Sequence, residues 1–301
     1  MKKTLMGIFF TLAFVLTLGY LSVDTFAGSS FPVPVASGVN VNGNERAEID
    51  YSNVRDGYVM IRFLNREITS VRVTIVGPDG INYQYRLNTD GRWEVFPLTA
   101  GNGSYTIRVF QNVSGNQYSL ANSLTVDVTL TNEFAPFLRP NQFVDFAPGS
   151  RVVTQANSIV RNSGSALESV SLIYNWVIEN IEYDFAFAAR VANGQVTTHV
   201  PDLAQTMQTR MGICFDYASL MTAMLRSQGI PTRLVIGYVG DVFHAWISIH
   251  TPETGWINNI IWFDGTEWRI MDPTFAATGN QSAEAMRLIG NGQNHRSTHY
   301  H

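Results

Sequence analysis

The chain has 301 residues, which is enough for two domains of ordinary size, each with its own core. A hydrophobic content of 45% against 15% charged residues excludes an intrinsically disordered protein. The formal net charge is −4, so the sequence lacks the excess of basic residues that nucleic-acid binding requires, and we expect no nucleic-acid partner.

The first residues have the pattern of an export signal. Lys2 and Lys3 precede an apolar run from Leu5 to Leu21, and Thr25-Phe26-Ala27 offers a cleavage site. We therefore predict a signal peptide over residues 1–27 and a secreted or cell-surface protein. The alternative is an uncleaved signal anchor, through which alone we would expect contact with a membrane.

Residues 38–131 are predicted to be all-β. Apolar and polar residues alternate at 71–75, 105–109 and 124–128, and turn signals such as Asp90-Gly91 lie between these stretches. Short strands at this spacing are typical of an immunoglobulin-like β-sandwich. The region contains no His and no Cys, so we expect it to serve as a spacer, a docking module or a ligand-binding module.

Residues 132–150 are predicted to be a linker, because they contain several prolines and few periodic apolar positions. Four phenylalanines in this stretch favour a strap packed on a domain over a loose tether. They are Phe134, Phe137, Phe143 and Phe146.

From residue 151 the apolar period becomes helical. One helix carries an apolar face between Leu167 and Ile181, a second spans about 202–210, and a third runs from Cys214 to Gln228 with Gly229 at the C′ position. The strands that follow are predicted at 233–239, 244–250, 256–263 and 267–271, with a hairpin turn at Asp264-Gly265. This order predicts an α+β domain over residues 151–280, in which helices pack on an antiparallel sheet. Residues 281–301 form a polar tail that we expect to be frayed or peripheral.

Cys214 is the only cysteine of the chain and lies at the start of a predicted helix, where backbone N–H groups stabilise a thiolate. His244 opens a predicted strand, and Asp272 closes another just before Pro273. The three residues form a candidate triad of nucleophile, general base and orienting carboxylate. Taken singly they have ordinary interpretations, since a lone histidine in an apolar strand is usually structural and an Asp before proline is commonly a turn residue.

Three sequence blocks resemble the transglutaminase-like superfamily and occur in that family's order. They are Gly212-Ile213-Cys214, His244-Ala245-Trp246 and Asp272-Pro273-Thr274. The resemblance covers about residues 150–280 and extends to Leu225–Pro231 and to Tyr174–Asp184. It implies a papain-like core, a secreted bacterial-type cysteine enzyme, and an acyl-enzyme thioester formed on Cys214 with the help of His244 and Asp272.

The expected function is hydrolysis of an amide bond or transfer of its acyl group to an amine, on a peptide, protein or cell-wall peptide substrate. The alternative is a non-catalytic cell-surface binding protein that uses the β-sandwich. We expect no cofactor and no metal, because the histidines near the end of the chain lack ligand spacing. Asp216 is expected to cap its helix or to point away from the thiol, and His199 to be a loop residue or a substrate contact.

Overall fold

The computed structural model describes residues 31–258, 261–263, 268–270 and 295–301. The predicted signal peptide and Asp272 lie outside these ranges. Within them the protein is a mixed helix and sheet structure, with all-β residues first and a helix–sheet unit after them. No helix in the described ranges is both long and apolar enough to cross a membrane.

Eight strands occupy residues 41–128 and form two antiparallel four-stranded sheets, with strand orders β1-β2-β3-β6 and β5-β4-β7-β8. Alternate residues of both sheets share one buried apolar core, as the strand period of two requires. The strands are Val41–Gly43 (β1), Ala47–Asp50 (β2), Tyr58–Phe63 (β3), Val71–Val76 (β4), Asn82–Leu87 (β5), Glu94–Pro97 (β6), Gly103–Ser114 (β7) and Gln117–Val128 (β8). The three predicted strand segments lie in β4, β7 and β8, whereas the immunoglobulin-like assignment stays a prediction.

The segment between the two units packs against both of them, as its phenylalanines predicted. Phe137 and Phe146 are buried, and Phe134 packs on His250 with ring centroids 4.1 Å apart. Phe143 contacts Tyr85 of β5 on one side and Phe215 on the other. These contacts give the segment apolar partners in both units.

Five helices lie among the described residues of the second unit, and side-chain oxygens cap the first four. The bounds are Arg151–Ile159 (α1), Ala166–Asn180 (α2), Phe185–Ala192 (α3), Leu203–Thr209 (α4) and Cys214–Ser227 (α5). Ser150, Ser165, Asp184 and Asp202 each accept a hydrogen bond from the backbone N–H three residues further on. After α5, Gly229 takes the left-handed conformation with φ of 76°, which confirms the predicted C′ glycine.

The second unit contains a four-stranded antiparallel sheet of order β13-β12-β11-β16. Its strands are Thr232–Val239 (β11), Val242–Thr251 (β12), Gly255–Ile257 (β13) and His295–Tyr300 (β16). Two short ladders accompany it, one parallel between Glu182–Tyr183 (β9) and Met211–Gly212 (β10), and one antiparallel between Ile261–Phe263 (β14) and Trp268–Ile270 (β15). Helix α5 packs against β11 and β12 at the centre of the apolar core.

Two expectations for this unit are wrong. The stretch 256–263 is not one strand: β13 pairs with β12, whereas β14 pairs with β15. The expected frayed end is also wrong for residues 295–301, because β16 pairs along β11 and His301 is buried. Gly237 makes this pairing possible, since a Cβ there would lie 2.2 Å from the carbonyl oxygen of Arg296.

Candidate active site at the start of helix α5

Cys214 is the first residue of α5, and its thiol is free and partly exposed. Residues at a helix N terminus have backbone N–H groups without a partner inside the helix, and these favour a nearby negative charge. The chain enters the helix through Gly212, where a Cβ would lie 2.7 Å from the Cβ of Asp216. A larger residue at position 212 would therefore displace the first turn. The structure places Cys214 where the sequence predicted it.

Asp216 is buried in this first turn and accepts two hydrogen bonds. Its Oδ2 accepts from the backbone N–H of Ile213 at 2.9 Å, which confirms the predicted helix-capping role. Its Oδ1 lies 2.7 Å from Nε2 of His199, and this nitrogen is the donor because an ionised carboxylate only accepts. Sequence analysis placed His199 in a loop and missed this pairing. The available signal was a carboxylate in the first turn of a predicted buried helix, which needs a donor for each oxygen.

The hydroxyl of Tyr217 donates to the carbonyl oxygen of Ile181, next to the end of α2. Burial raises the pKa of Tyr217, so this hydroxyl keeps its proton and remains a donor. The first turn of α5 is thus connected to the loop after α3 through Asp216 and to the end of α2 through Tyr217.

An exposed apolar surface adjoins the turn that carries Cys214. Gly212 of β10 pairs with Tyr183 of β9, and the ring of Phe185 packs edge-on against Tyr183 with centroids 4.9 Å apart. Phe185 is 66% exposed and Met211 is 43% exposed, and α3 has no buried residue. We call these three residues, Tyr183, Phe185 and Met211, the α3 wall; the pairing of Gly212 with Tyr183 connects it to the chain that enters α5 at Cys214.

His244 lies near the start of β12 and is buried. It is directly opposite Gly237 of β11, and its ring lies nearly parallel to that of Trp246, with centroids 6.4 Å apart. Ala245 and Ile247 take the alternate positions of the strand and enter the core that contains α5. The structure therefore brings the elements that carry Cys214 and His244 into contact, α5 against β12. The pairing of the thiol with the imidazole stays a prediction.

The third predicted residue, Asp272, lies outside the described residues. The last described residues before it are Trp268–Ile270 of β15, which pair with Ile261–Phe263. The arrangement of Cys214, His244 and Asp272 as a triad accordingly stays a prediction.

A cleft of about 940 Å³ lies elsewhere, between β5 and β6 of the first unit and the loop that leads into α4. Its lining includes Arg86, Trp93, Glu94 and Asp202, but neither Cys214 nor His244. Burial raises the pKa of the Glu94 carboxyl, against the lowering effect of a hydrogen bond from the backbone of Asn88. The cleft is thus a mixed-charge surface shared by the two units.

Comparison with known proteins shows what the second unit is similar to. Residues 153–273 match the sequence model of the transglutaminase-like superfamily, a range that contains Cys214, His244 and Asp272. The protein YebA of Bacillus subtilis is 27% identical over 176 residues, which cover 52% of this chain and 22% of YebA. A protein-glutamine gamma-glutamyltransferase of Pseudomonas aeruginosa is 38% identical over 64 residues, which cover 17% of this chain and 10% of that protein. The chain thus spans about a fifth or less of the length of these relatives.

Two solved structures are distantly similar. The first, a proposed cysteine protease from Cytophaga hutchinsonii, has a TM-score of 0.40 and 14% identity and covers 81% of this chain and 79% of its own. The second is red sea bream transglutaminase, with a TM-score of 0.31 and 12% identity over 72% of this chain and 48% of its own. The similarity to the transglutaminase-like superfamily therefore rests on the sequence match over residues 153–273.

Proposed function

Because residues 153–273 are a transglutaminase-like domain, we propose that this chain is a cysteine-dependent enzyme that acts on amide bonds through a thioester on Cys214. The observation that carries the proposal is a free, partly exposed thiol at the first residue of α5, inside the matched range. A cysteine that only fills the core would be fully buried. Cys214 is instead partly exposed and lies at the free backbone N–H groups of a helix N terminus.

In the proposed reaction the Cys214 thiolate attacks the amide carbonyl and the C–N bond breaks. His244, as the imidazolium, gives its proton to the departing amine, and Asp272 holds the imidazole in the required orientation. The backbone N–H of Cys214 donates to the oxyanion of the tetrahedral intermediate. Water or an amine then attacks the thioester and gives its proton to the neutral His244. The C–S bond breaks, which yields a carboxylic acid or a new amide and returns Cys214 to the thiolate and His244 to the imidazolium.

The substrate proposed is a peptide, a protein or a cell-wall peptide outside the cell, reached by export through residues 1–27. Such a substrate has its reactive amide on an extended backbone or a flexible side chain. The exposed α3 wall beside Cys214 offers apolar surface to the residues that flank this amide. No lysine follows Lys3, so an exported transferase could not cross-link itself through an ε-amine.

The deciding experiment incubates the full chain with a glutamine-containing protein and a fluorescent amine, and follows both products by mass spectrometry. Amine incorporation would identify a transferase, and cleavage alone would identify a hydrolase. Cys214→Ala should abolish both, by more than about a thousandfold, because no other nucleophile can form the thioester. If neither product forms with the parent, the enzyme proposal is wrong.

A second measurement tests the thiol and needs no substrate. We expect iodoacetamide to alkylate Cys214 rapidly at mildly acidic pH in the native protein, and His244→Ala to slow this labelling. His250→Ala is the matched control, since His250 lies on the same strand but packs against Phe134 and Trp256. Labelling that begins only on unfolding, together with ligand binding to the β-sheets of the first unit, would favour a non-catalytic binding protein.

A further inference from the structure

The Asp216 carboxylate is held from two different parts of the chain. The backbone of Ile213 binds Oδ2 from within the helix turn, and His199 binds Oδ1 from the loop between α3 and α4. Only 4% of Asp216 is exposed, so water does not readily replace a missing donor. His199 therefore supplies half of the hydrogen bonding of a buried carboxylate two residues from Cys214.

This carboxylate also touches the backbone that sets the position of the thiol. Asp216 leaves no room for a Cβ on Gly212, and its bond to Ile213 fixes the residue immediately before Cys214. A rotation of the carboxylate would break its bond to the backbone N–H of Ile213. The orientation of the Cys214 side chain and of its backbone N–H thus depends on Asp216 being held at both oxygens.

The ring of His199 is itself positioned by aromatic contacts. It packs edge-on against Phe187 of α3, with centroids 4.9 Å apart, and lies 6.2 Å from the ring of Phe215. Phe215 follows Cys214 directly and packs against Phe143. The imidazole consequently fills the space between α3 and the first turn of α5.

We propose that His199 is a positioning residue for Cys214, which acts through Asp216 to fix the first turn of α5 and hence the thiol and its backbone N–H. This inference rests on the proposed function only in assigning Cys214 as the nucleophile. His199 itself touches neither the sulfur nor the substrate in this scheme; it acts through the hydrogen bond from its Nε2 to Asp216.

The test compares three variants of the full chain by the rate of Cys214 alkylation and by kcat and KM in the amine-incorporation or cleavage assay. His199→Ala should lower the labelling rate and kcat about 10- to 100-fold, because a displacement of about 1 Å at a reacting atom costs that much. His199→Gln should recover to within about threefold of the parent, because its amide nitrogen can donate to Oδ1. Phe187→Ala keeps the hydrogen bond, so its labelling rate should stay within about twofold, while KM rises as α3 loses a contact.

His250→Gln and the thermal midpoint of each variant control for general destabilisation. An unchanged labelling rate in His199→Ala would overturn the inference, as would a glutamine variant no better than alanine. An equal loss of labelling rate in Phe187→Ala would also overturn the inference, because ring packing and not the hydrogen bond would then be the cause. Because labelling needs no substrate, a parent that labels rapidly but makes no product would overturn the proposed function and leave this inference standing.

Discussion

The two units of the molecule differ in the number of polar side chains that they bury. Among the described residues of β1 to β8, Asp50 and Asn122 are buried polar residues, and the other buried side chains are aliphatic or aromatic, tyrosines included. The helix–sheet unit buries many more, and several lie on α5 itself. These α5 residues are Asp216, Ser219, Thr222, Arg226 and Ser227. An apolar core suffices to hold the first unit together, whereas the helix turn that carries the proposed nucleophile Cys214 is held by directional bonds.

Arg226 is one of the buried polar residues of α5, and its hydrogen bonds reach three other parts of the chain. It is fully buried on α5, and its guanidinium donates to the carbonyl oxygens of Thr232, Arg139 and His301 at 2.6–2.9 Å. Burial lowers the pKa of Arg226 to about 9. One side chain thus joins the nucleophile helix, the connecting segment and the end of strand β16.

The largest effect on stability is expected at this residue. Arg226→Met retains most of the side-chain length but removes the guanidinium donor from the carbonyl oxygens of Thr232 and Arg139, and leaves that of His301 with only the backbone N–H of Leu234, so the free energy of unfolding should fall by about 3–5 kcal/mol. Urea unfolding measures the change. Arg108→Met, on an exposed position of β7, is the control from the first unit and should stay within about 0.5 kcal/mol. Equal losses in the two variants would show that the buried hydrogen bonds of Arg226 are not the source of its effect on stability.

The buried side chain of His301 should make the stability of the protein depend on pH. It lies against Arg226, its Nδ1 is 3.1 Å from the hydroxyl of Tyr85 in β5, and burial lowers its pKa to about 3. An unfolded histidine has a pKa of about 6.5. Between these values the unfolded chain binds a proton that the folded chain does not, so stability present above pH 6.5 is lost as the pH falls towards 3.

His301→Gln removes this proton uptake but keeps a side chain that can bind Tyr85. On going from pH 7 to pH 4, the variant should therefore lose less stability than the parent, by about 3 kcal/mol. Urea unfolding at the two pH values measures the difference, and Asn122→Ala in the first unit should show the parent's pH dependence. Identical pH dependence in His301→Gln and the parent would mean that His301 is not buried in its neutral form.

The same contrast explains what sequence could and could not predict. Helices α2, α4 and α5 begin and end within about a residue of their predicted bounds, because apolar spacing, caps and Gly229 are local signals. Strand β16 was missed because its sequence is polar, and its pairing depends on Gly237, which is distant in the chain. The His199–Asp216 hydrogen bond was also missed, because the loop that carries His199 has no apolar periodicity from which its position could be predicted. The position of Cys214 at the start of a helix was predictable, because its signal lies in three consecutive residues, Gly212-Ile213-Cys214.

The smallest effect is expected at a polar pair in the first unit. Arg62 on β3 and Glu48 on β2 form an ion pair of 2.6 Å with both side chains partly exposed, and Arg62 also lies over the ring of Trp93. Glu48→Gln keeps a hydrogen-bond acceptor and removes only the charge, which in this solvent-screened position contributes about 0–1 kcal/mol. Urea unfolding should show a change of that size, with alkylation of Cys214 unchanged. A slower alkylation would instead show that the first unit influences the nucleophile turn, and the division into an apolar scaffold and a polar, function-bearing unit would then be wrong.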